Sequence, residues 1–167
     1  PSTLPRLKTV ALTYMREMTK LSCRLLQAFA LAYDMSEDAF KYVIQPHPWY
    51  NLRMLQYYPQ ACRQDKTYYA IAPHSDYGIL TLLVQDDIGG LQVRGQTDGE
   101  WLDVKPKPGA LVLNTGDMLT RLTPGFFLST PHRVIAPPQR KRYSLAYFLC
   151  LHECQVSMNC NMQTGMH

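Results

Sequence analysis

Residues 68–93 read YYAIAPHSDYGILTLLVQDDIGGLQV. Three short runs rich in Leu, Val, Ile and Tyr are separated by HSDYG and by Gly89-Gly90. Short apolar runs punctuated by turn residues are how strands of an all-β domain read in sequence. The same texture extends to both sides. Strands are expected over Leu52–Tyr58, Thr67–Pro73, Leu80–Val84, Leu91–Arg94, Glu100–Val104, Ala110–Leu113, Met118–Arg121, Thr130–Ile135 and Tyr143–Leu151. Asp98-Gly99, Pro108-Gly109 and Pro124-Gly125 supply further turns, and no segment repeats at a fixed period, which fits a sandwich or jelly roll.

Upstream of Tyr50 the pattern is different. Val10, Met15, Met18, Leu21, Leu25, Leu26, Phe29, Ala30 and Tyr33 recur at three- and four-residue intervals, the spacing of one face of a long amphipathic helix. Ser36, followed by Glu37 and Asp38, fits the N-cap of a short second helix that carries Ala39–Ile44 and stops at Pro46. The expected organisation is a helical segment, residues 1–50, packing on a jelly-roll core, residues 51–151, followed by an irregular tail, residues 152–167, in one domain. The chain opens at Pro1 without an initiator methionine, which fits a fragment of a longer protein.

Composition narrows the class. With 167 residues, 46% hydrophobic and 18% charged, the chain is long enough for one well-buried core. A formal net charge of +4 comes from lysines and arginines scattered along the chain apart from Arg140, Lys141 and Arg142, so a nucleic-acid partner is not expected. No apolar run approaches the roughly 18 residues that span a bilayer, so no membrane partner is expected and the reading is cytoplasmic. Five cysteines at irregular spacing do not make a disulfide framework. Cys154, Cys160 and the tail histidines fit no zinc spacing.

The chemistry sits in the opening stretch. Side chains at i and i+2 of a strand share a face, so His74 and Asp76 are expected to project together while Ser75 points away. A third donor must come from elsewhere, and His132 in STPHRVI is a candidate in another strand. Two imidazoles and one carboxylate with open positions suit iron(II) better than zinc, which more often recruits cysteine or a third histidine. Ten residues on, Arg142 and Ser144 share a strand face, where a guanidinium fork beside a hydroxyl suits a carboxylate. A buried arginine needs an anionic partner, and residues 137–148 offer no acid.

The motifs HSD at 74–76, GGLQV at 89–93, NTGDM at 114–118, STPHRV at 129–134 and RYS at 142–144 resemble those of the 2-oxoglutarate/iron(II) dioxygenase superfamily, isopenicillin N synthase-like branch, over about Leu52–Phe148. The resemblance implies a mainly β fold, a double-stranded β-helix (jelly roll) preceded by the long helix and the short second one. It implies that His74, Asp76 and His132 hold Fe(II), and that Arg142 and Ser144 clamp 2-oxoglutarate. It also implies that Tyr58 of LQYYP reaches the cosubstrate and that Phe148 faces substrate. The implied function is oxidative decarboxylation of 2-oxoglutarate with O2, ascorbate serving as reductant, coupled to hydroxylation, desaturation or cyclisation of a small organic molecule. Two alternatives stay open: an oxidase with the same iron site that does not consume 2-oxoglutarate, and a catalytically incomplete metal-binding jelly roll.

Overall fold

The computed structural model describes residues 3–45, 49–60 and 68–151. The expected tail at 152–167, His47, Cys62 and the first residue of the strand expected at Thr67 lie outside them. The chain divides into two compact units, Pro1–Asn51 with Leu149–His167, and Leu52–Phe148.

In the first unit, helix α1 runs Leu7–Ala32. Tyr33 closes it by donating to the Phe29 carbonyl at 3.0 Å, and Asp34, at φ 59°, turns the chain out of the helix in the left-handed region. The short second helix is tighter than the sequence suggests. Bonds from Ala39 N–H to Ser36 O and from Lys41 N–H to Asp38 O span three residues, and a 3₁₀ turn occupies Lys41–Ile44. Among the described residues no helix is long and apolar enough to cross a membrane.

The second unit is the jelly roll. Its strands are β1 Trp49–Tyr57, β2 Tyr69–His74, β3 Leu80–Gln85, β4 Leu91–Arg94, β5 Trp101–Asp103, β6 Val112–Thr115, β7 His132–Ile135 and β8 Arg142–Cys150, the outermost residues of β1 and β8 apart. They form two four-stranded sheets, in the orders β1-β8-β3-β6 and β2-β7-β4-β5. Except for the β4–β5 hairpin, each successive strand switches sheet, so the chain winds as a double-stranded β-helix. Strand β3, interior to its sheet, buries Leu80, Thr81 and Leu82 in succession, as a strand covered on both faces does. Tyr57, Leu91 and Val134 form the core between the sheets, with Leu55, Ile71, Leu83 and Val112 packed against them.

One expected strand is a helix. Residues Met118–Arg121 lie in helix α2, Asp117–Leu122. The neighbours Met118 and Leu119 are both buried, which a half-exposed strand with its alternating faces does not allow. The NTGD segment that leads into α2 holds the HSDYG turn. Gly116 N–H donates to Ile79 O at 2.9 Å, Asp117 N–H to Asp76 O at 2.7 Å and Met118 N–H to Gly78 O at 3.1 Å.

These bonds require Gly116 to lie almost on the turn. A Cβ added there would stand 2.1 Å from the Gly78 oxygen and 2.9 Å from the Asp76 oxygen, both of them backbone atoms. Gly116→Ala is therefore expected to destabilise the unit by about 3 kcal/mol, the upper range for overpacking. A denaturation midpoint equal to that of the parent would show that the turn yields freely.

Candidate functional site

The antiparallel pairing of β2 with β7 sets His74 opposite His132. Their rings lie 4.3 Å apart between centroids and are tilted by 55°. Each Nδ1 sits against the backbone carbonyl two residues earlier, His74 on Ala72 O at 2.9 Å and His132 on Thr130 O at 3.1 Å. A carbonyl only accepts, so Nδ1 is a donor in both rings and Nε2 is the nitrogen left to face a metal.

Asp76 completes the cluster by a route different from the expected one. Strand β2 ends at His74, so shared strand phase does not place the carboxylate; Asp76 lies in the turn held by Gly116 and Asp117. Its side chain is almost fully buried and is oriented by two donors to one oxygen. Thr81 Oγ1 donates to Oδ2 at 2.6 Å and Asn114 Nδ2 at 2.9 Å. That leaves Oδ1 facing the histidines, 3.9 Å from Nε2 of His74 and 3.7 Å from Nε2 of His132. The ligand atoms of the three side chains all lie within 4.8 Å of one another, the one such cluster among the described residues. Two imidazole nitrogens and one carboxylate oxygen, each oriented by a partner behind it, are a donor set of mixed nitrogen and oxygen character that could hold a metal ion. Thr81 and Asn114 carry no signal of this role in the sequence, because it depends on strands β3 and β6 coming together beside the turn.

The cavity beside this cluster is lined by Tyr57, Leu91, Val134, Arg142, Ser144 and Phe148 together with the three donors. Arg142 is fully buried. Its Nε donates to Gly89 O at 2.8 Å, its Nη2 donates to Gln85 Oε1 at 3.1 Å, and its Nη1 has no partner. No carboxylate among the described residues neutralises it. A buried cation with one donor unused in a cavity can take an anion as its partner.

Tyr57, and not Tyr58, accompanies this arginine. The Tyr57 hydroxyl is 3.3 Å from Ser144 Oγ, and the Arg142 guanidinium lies 4.8 Å from the centre of its ring. Tyr58 is 64% exposed, with Lys141 over its ring at 5.2 Å. The reason is strand phase: Leu55 and Tyr57 of β1 face the cavity, so the next tyrosine faces away. Phe148 is the fourth of the alternating inward positions Arg142, Ser144, Ala146 and Phe148, and the Arg53 guanidinium lies 5.3 Å from the centre of its ring.

Known proteins resemble this chain in sequence and in fold. The profile of the 2OG-Fe(II) oxygenase superfamily matches residues 49–151. A 2-oxoglutarate-Fe(II) type oxidoreductase of Emericella nidulans is 35% identical over 96% of this chain and 48% of its own length. Among solved structures, a full-length Neurospora crassa protein in complex with alpha-KG and thymine superposes with a TM-score of 0.80 at 30% identity, over 89% of this chain and 47% of that one. JOX2 in complex with 2OG, Fe and JA gives a TM-score of 0.82 at 34% identity, over 91% and 44%. The chain thus spans about half the length of the relatives it matches. A profile match running from β1 through β8, and relatives of this identity along nearly the whole chain, make it a member of the 2OG-Fe(II) oxygenase superfamily.

Proposed function

We propose that this chain is the jelly-roll portion of an iron(II)- and 2-oxoglutarate-dependent dioxygenase acting on a small organic molecule. The observation that carries the reading is the unused, buried Nη1 of Arg142 in the same cavity as three converging metal donors. The donor set fits iron(II): imidazole and carboxylate together, with the cavity on one side left for other ligands. In this reading His74, Asp76 and His132 hold the metal. Bound there, iron(II) with O2 supplies the oxidative decarboxylation of 2-oxoglutarate to succinate and carbon dioxide, coupled to oxidation of a substrate C–H bond.

The chain's own residues bind and orient. Arg142 and Ser144 take the distal carboxylate of the cosubstrate, and the Tyr57 ring and hydroxyl hold those two side chains in place. Leu91 and Val134 keep the floor of the cavity apolar, which strengthens the pairing of Arg142 with an anion. Phe148 offers substrate an aromatic wall. The thymine in the Neurospora crassa complex and the JA in the JOX2 complex support a small-molecule substrate. Cys23, not joined in a disulfide, supports a reducing compartment such as the cytoplasm.

The test is anaerobic loading of the 167-residue chain with iron(II) and 2-oxoglutarate, followed by admission of O2. Succinate formed in proportion to the O2 consumed supports the dioxygenase. O2 consumption without succinate would favour the oxidase alternative, and tight binding of both partners without turnover would favour the incomplete jelly roll.

The placement of the two tyrosines makes a smaller prediction. Tyr57→Phe is expected to weaken 2-oxoglutarate binding by about 1 kcal/mol, the value of one neutral hydrogen bond. Tyr58→Phe is expected to leave it unchanged. The opposite order in the two dissociation constants would return the role to Tyr58.

A further inference from the structure

We propose that Gln85 is the positioning residue of the anion site: it fixes the plane of the Arg142 guanidinium and selects Nη1 as the nitrogen offered to the ligand. The inference rests on the reading of Arg142 as the anchor of the cosubstrate's distal carboxylate. Gln85 is the last residue of β3, and both ends of its amide are committed. Its Nε2 donates to Val104 O at 3.1 Å, which a carbonyl can only accept, so Oε1 must be the atom that faces Arg142 Nη2 at 3.1 Å. Gly89 O in turn receives Nε at 2.8 Å; it is delivered by a turn whose glycine sits at φ +80°, a conformation other residues rarely adopt. A guanidinium is planar, so two pinned nitrogens fix the third.

The choice of an amide has its own consequence. Gln85 satisfies a buried donor without cancelling its charge, so the full cation is kept for the ligand. The acids next in sequence are tied elsewhere. Asp86 accepts from the backbone N–H groups of Ile88 and Tyr143, and Asp87 pairs with Arg140 at 3.3 Å. Carboxylates are therefore abundant beside the strand end but kept off the guanidinium. A glutamate at this position could still accept from Nη2, though without the bond to Val104 O, and would weaken the site's attraction for an anion, since it sets a like charge beside the incoming carboxylate.

The test compares two 2-oxo acids on the full 167-residue chain loaded with Mn(II). 2-Oxoglutarate has the distal carboxylate, and pyruvate has the same 2-oxo acid end without it. Calorimetric titration of each gives a selectivity ratio that a merely structural role for Gln85 would not move. In Gln85→Glu this ratio is expected to fall about a hundredfold through loss of 2-oxoglutarate affinity alone, the scale set by disturbing a buried charge pair. Pyruvate and Mn(II) affinities are expected to hold. In Gln85→Ala, where the charge is kept but Nη2 loses its acceptor and the plane its support, the expected fall is about tenfold. A parental ratio in Gln85→Glu, or in Gln85→Ala should the glutamate variant not fold, would overturn the inference. A wild-type chain that binds the two acids alike would overturn the reading of Arg142, and the inference with it.

Discussion

His132→Ala is expected to lose iron(II), or Mn(II) used in its place, by more than about a thousandfold in affinity. Partners that merely orient a ligand are commonly worth about 10–100-fold, and removal of the ligand itself exceeds that. The geometry gives His132 special weight. It is the less exposed of the two histidines, with its side chain 15% exposed against 39% for His74, and its Nε2 is the nearer to Asp76 Oδ1, at 3.7 Å. Its loss leaves one imidazole and a carboxylate whose other oxygen is already occupied by Thr81 and Asn114. Ser75→Ala is the control. Ser75 lies between two of the donors in sequence, but its hydroxyl turns to Asp117 at 3.2 Å. Metal titration by calorimetry or by Mn(II) resonance should find the serine variant unchanged. Parental stoichiometry and affinity in His132→Ala would remove this cluster as the metal site.

Much of this site is legible in the sequence because its determinants are local. His74 and Asp76 are two residues apart, Arg142 and Ser144 stand in phase on one strand, and each motif keeps its own turn residues. What is not legible depends on phase or on pairing across the chain. LRMLQYYP places leucines, methionine and tyrosines on both faces of β1, so alternation alone does not say which tyrosine looks inward. The structure decides it, because Leu55 and Tyr57 are the residues that meet the core. Residues 118–121 read as a strand because a six-residue helix is too short to display a period, and both patterns accommodate Met-Leu-Thr-Arg. The end of β2 at His74 is set by backbone bonds from Asp117 and Met118, distant in sequence and invisible in the local pattern. Gln85, Thr81 and Asn114 act on partners brought to them by the β3–β6 ladder and by β8, so their types alone carry no signal.

Arg142→Ala is expected to weaken 2-oxoglutarate binding by about 2–5 kcal/mol, the range for truncating one partner of a buried, hydrogen-bonded charge pair. The size follows from burial: the guanidinium is wholly removed from solvent, so water does not replace it as a partner for the ligand's carboxylate. The same burial makes the variant less stable, because Gly89 O and Gln85 Oε1 lose their donor, each at about 1–3 kcal/mol. Binding must therefore be measured well below the melting transition, with metal affinity as the sign that the barrel is intact. Arg142→Lys separates charge from shape. A lysine keeps the cation, but its ammonium has no planar fork to be held by Gly89 and Gln85 at once, so its affinity should fall between that of alanine and that of the parent. Lys141→Ala serves as control, since that neighbouring ammonium lies over the exposed Tyr58 ring. An equal loss in the Lys141 and Arg142 variants would mean that the cosubstrate responds to net charge near the mouth of the cavity. An unaltered dissociation constant in Arg142→Ala would leave its buried, unused Nη1 without the carboxylate partner assigned to it, and a cation kept in an apolar cavity at the cost of its hydration would need another ligand.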